Sequence, residues 1–265
     1  MYNFSYFRPR QLTEATRKLS EIEGAKLLSG GMTLLPTMKQ RLCSPSALID
    51  INTIDGLDAI EICGDGIAIG ARARHFEVAS SPIVRNRLPA LAELAGLIGD
   101  PAVRHRGTIG GSIANNDPAA DYPAGTTALD ATIVTNKRSI GVDEFFVDLF
   151  ETALEVDEIV VQVRFPHWQK TAWQKFRSAA SRFAVVGVFV ACTGPVVRVA
   201  VTGAGTNGVF RAAEFEQALA ADFHSDAIAD IDIDQSQLIA DGNADQRYRA
   251  HLIKVLTQRA VASIQ

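Results

Sequence analysis

Two glycine pairs are the residues whose type and spacing point to chemistry. Leu27-Leu28-Ser29-Gly30-Gly31-Met32-Thr33-Leu34 holds the first, and Thr108-Ile109-Gly110-Gly111-Ser112 the second. Each follows an apolar or extended run and precedes a change of direction. Glycine reaches positive φ and, lacking a Cβ, lets a ligand come close to the backbone. Amides exposed in such a turn form a concave nest for anions. A helix starting after the first pair adds the positive end of its dipole. Two such loops on one domain suit a ligand with a pyrophosphate bridge. Taken alone, a Gly-Gly pair is more often just a tight turn. Neither loop has the G-x-G-x-x-G or Walker A spacing, so Rossmann and P-loop readings fail.

The second loop continues as Asp117-Pro118-Ala119-Ala120-Asp121-Tyr122-Pro123. Its two carboxylates suit the hydroxyls of a ribose or ribitol, and Asp117 equally suits the cap of a turn before Pro118. Just upstream, Val103-Arg104-His105-Arg106 brings positive charge to the candidate anion site, or forms a solvated basic turn. The five histidines (His75, His105, His167, His224 and His251) share no ligand spacing, so no metal site is expected. Ser29 and Thr33 have no nearby His–carboxylate pair and read as turn and cap residues rather than nucleophiles.

Strands and helices must hold these loops. The pattern predicts a strand over 4–7 ended by Pro9, then a helix over 13–23 capped by Thr13. A strand over 25–29, a helix over 32–41 with Pro36 in its first turn, and a strand over 46–51 follow. This alternation implies a small α/β unit with parallel strands. A hairpin turns at Gly64-Asp65-Gly66, between apolar runs at 59–62 and 67–69. A short helix begins near Arg74, and a buried helix covers 88–98. The segment 107–111 reads as a glycine-rich loop. Strands are expected over 131–135 and 158–165, and a boundary at Pro166-His167-Trp168. Runs at 173–177, 185–191 and 196–201 suggest an antiparallel sheet, with helices over 212–220 and 248–264. The acidic stretch from Asp222 to Asp245 reads as a solvated loop without EF-hand spacing.

Composition narrows the function classes. The chain has 265 residues, 47% hydrophobic and 21% charged, with a net charge of −4. It can bury a substantial core without disulfides, as one large domain or two of ordinary size. The mild acidity argues against nucleic-acid binding. No apolar run approaches the roughly 20 residues that span a bilayer, and no signal peptide is evident. The scattered Cys43, Cys63 and Cys192 form no disulfide framework, zinc site or iron–sulfur ligand set; they read as small buried hydrophobes. A cytoplasmic setting is expected.

Ser29-Gly30-Gly31-Met32-Thr33-Leu34-Leu35-Pro36, Val103 to Ser112 and Asp117 to Pro123 together resemble the FAD-binding medium subunit of molybdenum hydroxylases. This is the carbon monoxide dehydrogenase medium-chain and xanthine dehydrogenase FAD-subunit family. Asp157-Glu158-Ile159-Val160, Trp173-Gln174-Lys175-Phe176, Val201 to Gly205 and Tyr248 to Leu252 extend the resemblance over nearly the whole chain. It implies an α+β fold: a two-part FAD-binding domain of the p-cresol methylhydroxylase type over 1–167, divided as 1–53 and 54–167. A smaller C-terminal domain of antiparallel sheet and helices over 168–265 completes it. It also implies that Leu27 to Leu34 wrap the FAD pyrophosphate through backbone amides and that Thr108, Ile109, Gly110, Gly111 and Ser112 form the second pyrophosphate loop. Asp121 would bind a sugar or ribitol hydroxyl. Ile98 would lie against the flavin ring, Val160 would touch the cofactor through its backbone, and Lys175 would approach the ring.

The implied partners are a molybdenum-cofactor large subunit and a [2Fe-2S] small subunit, assembled as a dimer of heterotrimers. The implied role is to take electrons from the clusters and pass them through FAD to an external acceptor; no acid–base residue is named. Two other readings stay open: a stand-alone FAD oxidoreductase of the same flavin fold, and a flavin-free scaffold subunit.

Overall fold

The computed structural model describes residues 1–264. The N-terminal part is a parallel three-stranded sheet. Ala47–Asp50 is central, flanked by Ser5–Phe7 and Lys26–Leu28. Helices Leu12–Glu21 and Leu34–Lys39 make the crossovers, as parallel neighbours require. The central strand is buried along its whole length, which its unbroken apolar run anticipates. Thr13 does not cap the first helix: the cap position is Gln11, without a side-chain bond, and Thr13 lies within the first turn.

The middle of the chain forms an antiparallel five-stranded sheet in the order Ile60–Cys63, Gly66–Gly70, Val160–Phe165, Thr132–Thr135, Ser139–Gly141. The expected hairpin is present, with Cys63 paired to Gly66 across a two-residue turn. Helices Pro82–Arg87, Pro89–Gly96 and Pro101–Arg104 each begin with proline, where its missing N–H costs nothing.

The segment 107–111 is not a free loop. It leads into a helix, Ile109–Asn115, whose N-cap Thr108 accepts from the Gly111 N–H at 3.2 Å. The Asp117 to Pro123 segment likewise runs into a buried helix, Asp121–Ala128. Gly110, Gly111 and Pro123 lower intrinsic helix propensity. The Thr108 cap and the placement of Pro123 in a first turn offset this.

The last part is an antiparallel sheet of Lys170–Arg177, Ala184–Thr193, Val196–Gly205 and Gly208–Arg211. Its faces alternate residue by residue. Trp173, Phe189 and Ala200 pack into the core of the middle part. Ala172, Val188, Val190, Val199 and Val201 pack under the C-terminal helix Gln246–Ala262 and helix Ala213–Ala221. Burial on both faces explains why the two central strands read as continuous apolar runs.

Trp168, at the expected boundary, is buried and donates to the Leu129 carbonyl at 2.9 Å. The acidic stretch is more than a solvated loop: Asp241 pairs with buried Arg249 at 2.7 Å, and Asp245 caps the C-terminal helix. Of the cysteines, only Cys192 is buried; Cys43 is half-buried and Cys63 exposed, so the expectation fails for two of three. The short hairpin tip that displays Cys63 leaves no core for it to enter.

Candidate cofactor site

Leu27 and Leu28 end a short edge strand, held by Ala47–Asp50 and by the Ile51 N–H donating to the Leu28 carbonyl at 3.1 Å. The chain then turns through Gly31, whose φ of +72° a side chain would resist. It re-enters helix at Leu34. Among the described residues, the N–H groups of Gly30, Gly31, Met32, Thr33 and Leu34 donate to no protein acceptor. Five consecutive unspent donors around a left-handed glycine form an array suited to an anion with several acceptor oxygens. The residues present therefore fit a diphosphate.

The second loop lies directly against the first. Ser29 Oγ and Thr108 Oγ1 are 3.1 Å apart although 79 residues separate them. Gly30 makes this possible, because a Cβ there would stand 2.1 Å from the Arg106 carbonyl oxygen. Gly107 is pressed as closely on His75, and Gly110 on Ala71. The glycines of the second loop thus serve backbone packing. For Gly110, the expectation of close approach by a ligand is corrected, because a Cβ there would meet Ala71 instead.

Donor accounting points the same way. Ile109 and Gly110 spend their N–H groups on the carbonyls of Ala73 (3.1 Å) and Ala71 (2.8 Å). Gly111 and Ser112 donate to Thr108. The second loop backs and aligns the first more than it adds free amides. Val160 is buried in the strand that packs on helix Ile109–Asn115. Its neighbour Val161 accepts from the Ala71 N–H at 2.9 Å.

The basic turn divides. Arg104 Nη1 donates to the carbonyls of Ile98 and Gly99, both at 3.1 Å, so its charge shapes the turn that holds Ile98. Arg106 and His105 are exposed, and the His105 ring stacks on Phe76 at 4.4 Å. Asp117 closes a turn by accepting from the Ala119 N–H at 2.9 Å, the structural one of its two expected roles.

Asp121 and Lys175, 54 residues apart, form a closed ion pair at 2.6 Å, with side chains 4% and 3% exposed. Burial pushes the Asp121 carboxyl up to about 6, against the opposing pull of Lys175. Its second oxygen, Oδ1, is buried and finds no partner among the described residues. Lys175 Nζ also faces the Leu97 carbonyl at 3.5 Å, which brings the pair to the Ile98 turn.

Beside this pair lies a group the sequence did not single out. His75 is buried, its ring 5.4 Å from that of Tyr122. Burial, aided by the Arg104 charge, lowers its pKa to about 4, so the ring stays neutral. Among the described residues, His75 Nδ1, Tyr122 Oη and Trp173 Nε1 are buried and find no partner. Only the Asp-Tyr-Pro sequence after Ala120 hinted at Tyr122. Asp50 and Asn52, whose side chains support the Ser29 carbonyl, were also missed. Among the described residues, no cluster of three or more His, Cys, Asp or Glu could hold a metal.

Residues 2–168 match the family profile described as the FAD binding domain in molybdopterin dehydrogenase. The chain is 36% identical over 274 residues to the carbon monoxide dehydrogenase medium chain of Hydrogenophaga pseudoflava, covering 97% of this chain and 96% of the relative. It is 33% identical over 275 residues to the glyceraldehyde dehydrogenase medium chain of Sulfolobus acidocaldarius, covering 98% of each. Among solved structures, carbon monoxide dehydrogenase from Hydrogenophaga pseudoflava aligns with a TM-score of 0.87 at 35% identity, over 99% of this chain and 97% of that one. Quinoline 2-oxidoreductase from Pseudomonas putida aligns with a TM-score of 0.86 at 25% identity, over 99% and 97%.

Proposed function

The chain belongs to the FAD-binding medium subunits of the molybdopterin dehydrogenases, and from that premise we propose that it is the electron-transfer subunit of its complex. It receives electrons from [2Fe-2S] clusters of a small partner subunit and delivers them, by way of the FAD it holds, to an external acceptor. A molybdenum-cofactor large subunit oxidises the substrate, and the complex assembles as a dimer of heterotrimers. Medium chains of carbon monoxide and glyceraldehyde dehydrogenases, similar over nearly their full length, support partner subunits of this kind. The three free thiols suit a cytoplasmic setting. Among the described residues, no helix is long and apolar enough to cross a membrane.

The observation that carries the site assignment is the run of free amides from Gly30 to Leu34 clasped onto Thr108. These amides hold the diphosphate, after Leu27, Leu28 and Ser29 have aimed the loop. Thr108 to Ser112 brace it from behind. Ile98, Val160, Asp121 and Lys175 serve the sugar and ring end, with Asp121 and Lys175 acting as one unit. FAD, when bound, supplies the exchange between one-electron and two-electron carriers, and the protein supplies binding, orientation and electrostatics. Residues 1–53, 54–167 and 168–265 are the proposed domain divisions; the apolar cluster around Val199, drawn wholly from beyond residue 168, supports the last, whereas the cluster around Ile49 also takes in Ile54, Leu57 and Ile159 from the middle division.

Stripping FAD from the purified complex tests the electron route. Clusters still reducible by the partner's substrate, with reduction of the acceptor lost and then restored by added FAD, is the expected result. Acceptor reduction at full rate without FAD would overturn it.

A further inference from the structure

The first cofactor loop spends almost none of its own donors, so something outside it must fix its direction. A side-chain relay reaches it from the N-terminal sheet. Asn52 Nδ2 donates to the Ser29 carbonyl at 2.9 Å, immediately before the free amides begin. The same amide nitrogen donates to Asp50 Oδ1 at 2.7 Å, and the Asn52 backbone N–H reaches that oxygen at 2.9 Å. The two acceptors of its Nδ2, the Ser29 carbonyl and Asp50 Oδ1, fix which way the Asn52 amide faces. Asp50 is held in turn: it is buried, and its other oxygen accepts from Tyr6 Oη at 2.5 Å, with Arg8 Nε at 3.9 Å. Burial alone would raise the Asp50 carboxyl, but the bonds from Tyr6 and Asn52 prevail and keep it ionised.

Each link is specific in its chemistry. Asp50 accepts only, so its two oxygens sort Tyr6 from Asn52. Asn52 must then turn its NH₂ group toward both Asp50 and Ser29. The relay is local to the parallel sheet and joins strand Ser5–Phe7 to the loop through strand Ala47–Asp50. Thr53, the next residue, bonds elsewhere, from Oγ1 to the Pro9 carbonyl at 2.9 Å.

We propose that Tyr6, Asp50 and Asn52 are positioning residues for FAD, orienting the Ser29–Leu34 amides through the Ser29 carbonyl without touching the cofactor. The inference rests on the reading that this loop holds the FAD diphosphate. It makes Asn52 the residue through which Tyr6 acts.

The test is a double-mutant cycle on the full chain, with FAD affinity by flavin fluorescence titration and apo-protein melting temperature read side by side. Asn52→Ala is expected to weaken FAD binding about tenfold, and Tyr6→Phe about threefold, in line with loss of a bond to a charged or orienting group. The double variant should bind within about twofold of Asn52→Ala, because the Tyr6 effect has no other route. Thr53→Ala, which removes a neighbouring bond outside the relay, should melt lower but keep wild-type FAD affinity. Near-wild-type affinity in Asn52→Ala, additive losses in the double variant, or an equal loss in Thr53→Ala would each overturn the proposal. Should Asn52→Ala fail to fold, Tyr6→Phe alone decides: affinity unchanged from wild type overturns it. Wild-type chain that binds no FAD overturns the reading of the loop itself, and this inference with it.

Discussion

At the scale of single residues, two buried groups make the pH response calculable. His75 has its pKa lowered from an ordinary 6.5 to about 4 by burial and by Arg104. The folded state therefore binds fewer protons than the unfolded one between these values. Its contribution to stability is complete above pH 6.5 and is lost as pH falls toward 4, in total about 3 kcal/mol. His75→Asn should flatten that part of the stability curve in denaturant melts; an unchanged slope would count against a neutral, buried His75. Asp121 behaves oppositely, with a folded-state pKa raised to about 6, and Lys175 is the charge that limits the rise. Lys175→Met leaves the carboxylate buried and unpaired. The cost should approach about 3–5 kcal/mol at pH 8 and shrink at pH 5, where Asp121 takes up a proton. Equal destabilisation at both pH values would show that lost packing, not charge, dominates.

At the scale of elements, the glycines separate into roles that sequence alone merged. Gly30 permits contact between two loops, so Gly30→Ala must push the Arg106 carbonyl away and open the clasp at Ser29 and Thr108. FAD affinity should fall at least tenfold, with a stability loss of about 1–3 kcal/mol from the displaced backbone. Gly110 faces Ala71, whose Cβ would lie 2.5 Å from an added Cβ, so Gly110→Val should destabilise the fold itself by about 1–3 kcal/mol or more. Melting temperature and flavin titration on both variants separate the two. What was legible in the sequence follows from such distinctions. Strands Ala47–Asp50 and Ala184–Thr193 and helix Pro89–Gly96 declared themselves through apolar pattern and proline placement. Helices Ile109–Asn115 and Asp121–Ala128 did not, because their glycines and proline speak against helix and only tertiary packing settles the matter. The two glycine loops stood out in the sequence through their resemblance to a family. The Asp121–Lys175 pair and the Asn52 support were not, since no local pattern links residues 54 or 23 positions apart.

At the scale of the whole molecule, one core crosses the expected domain boundary. Trp173, Phe189, Ala191 and Ala200 from the C-terminal sheet are buried with Leu91, Leu94 and Tyr122 from the middle of the chain. Arg198 reinforces the junction, reaching the Thr127 carbonyl at 2.9 Å, Asp130 at 2.9 Å and Asp143 at 2.5 Å. A fragment ending at residue 167 would lose that side of its core, so it should show no cooperative thermal transition by circular dichroism. The full chain should melt in one transition across this junction. A sharp melt of the fragment near the temperature of the full chain would contradict the shared core.

Everything else depends on the proposal that the Gly30–Leu34 amides hold FAD in this subunit, with Thr108 bracing their loop. The most direct measurement is the visible absorption spectrum of the chain, purified with its partner subunits, incubated with FAD and passed through gel filtration. A retained flavin spectrum of about one FAD per chain is expected, lost in Gly30→Ala while the complex stays assembled. A folded, fully assembled wild-type complex that emerges without flavin, or a Gly30→Ala complex that keeps its full complement, would contradict it.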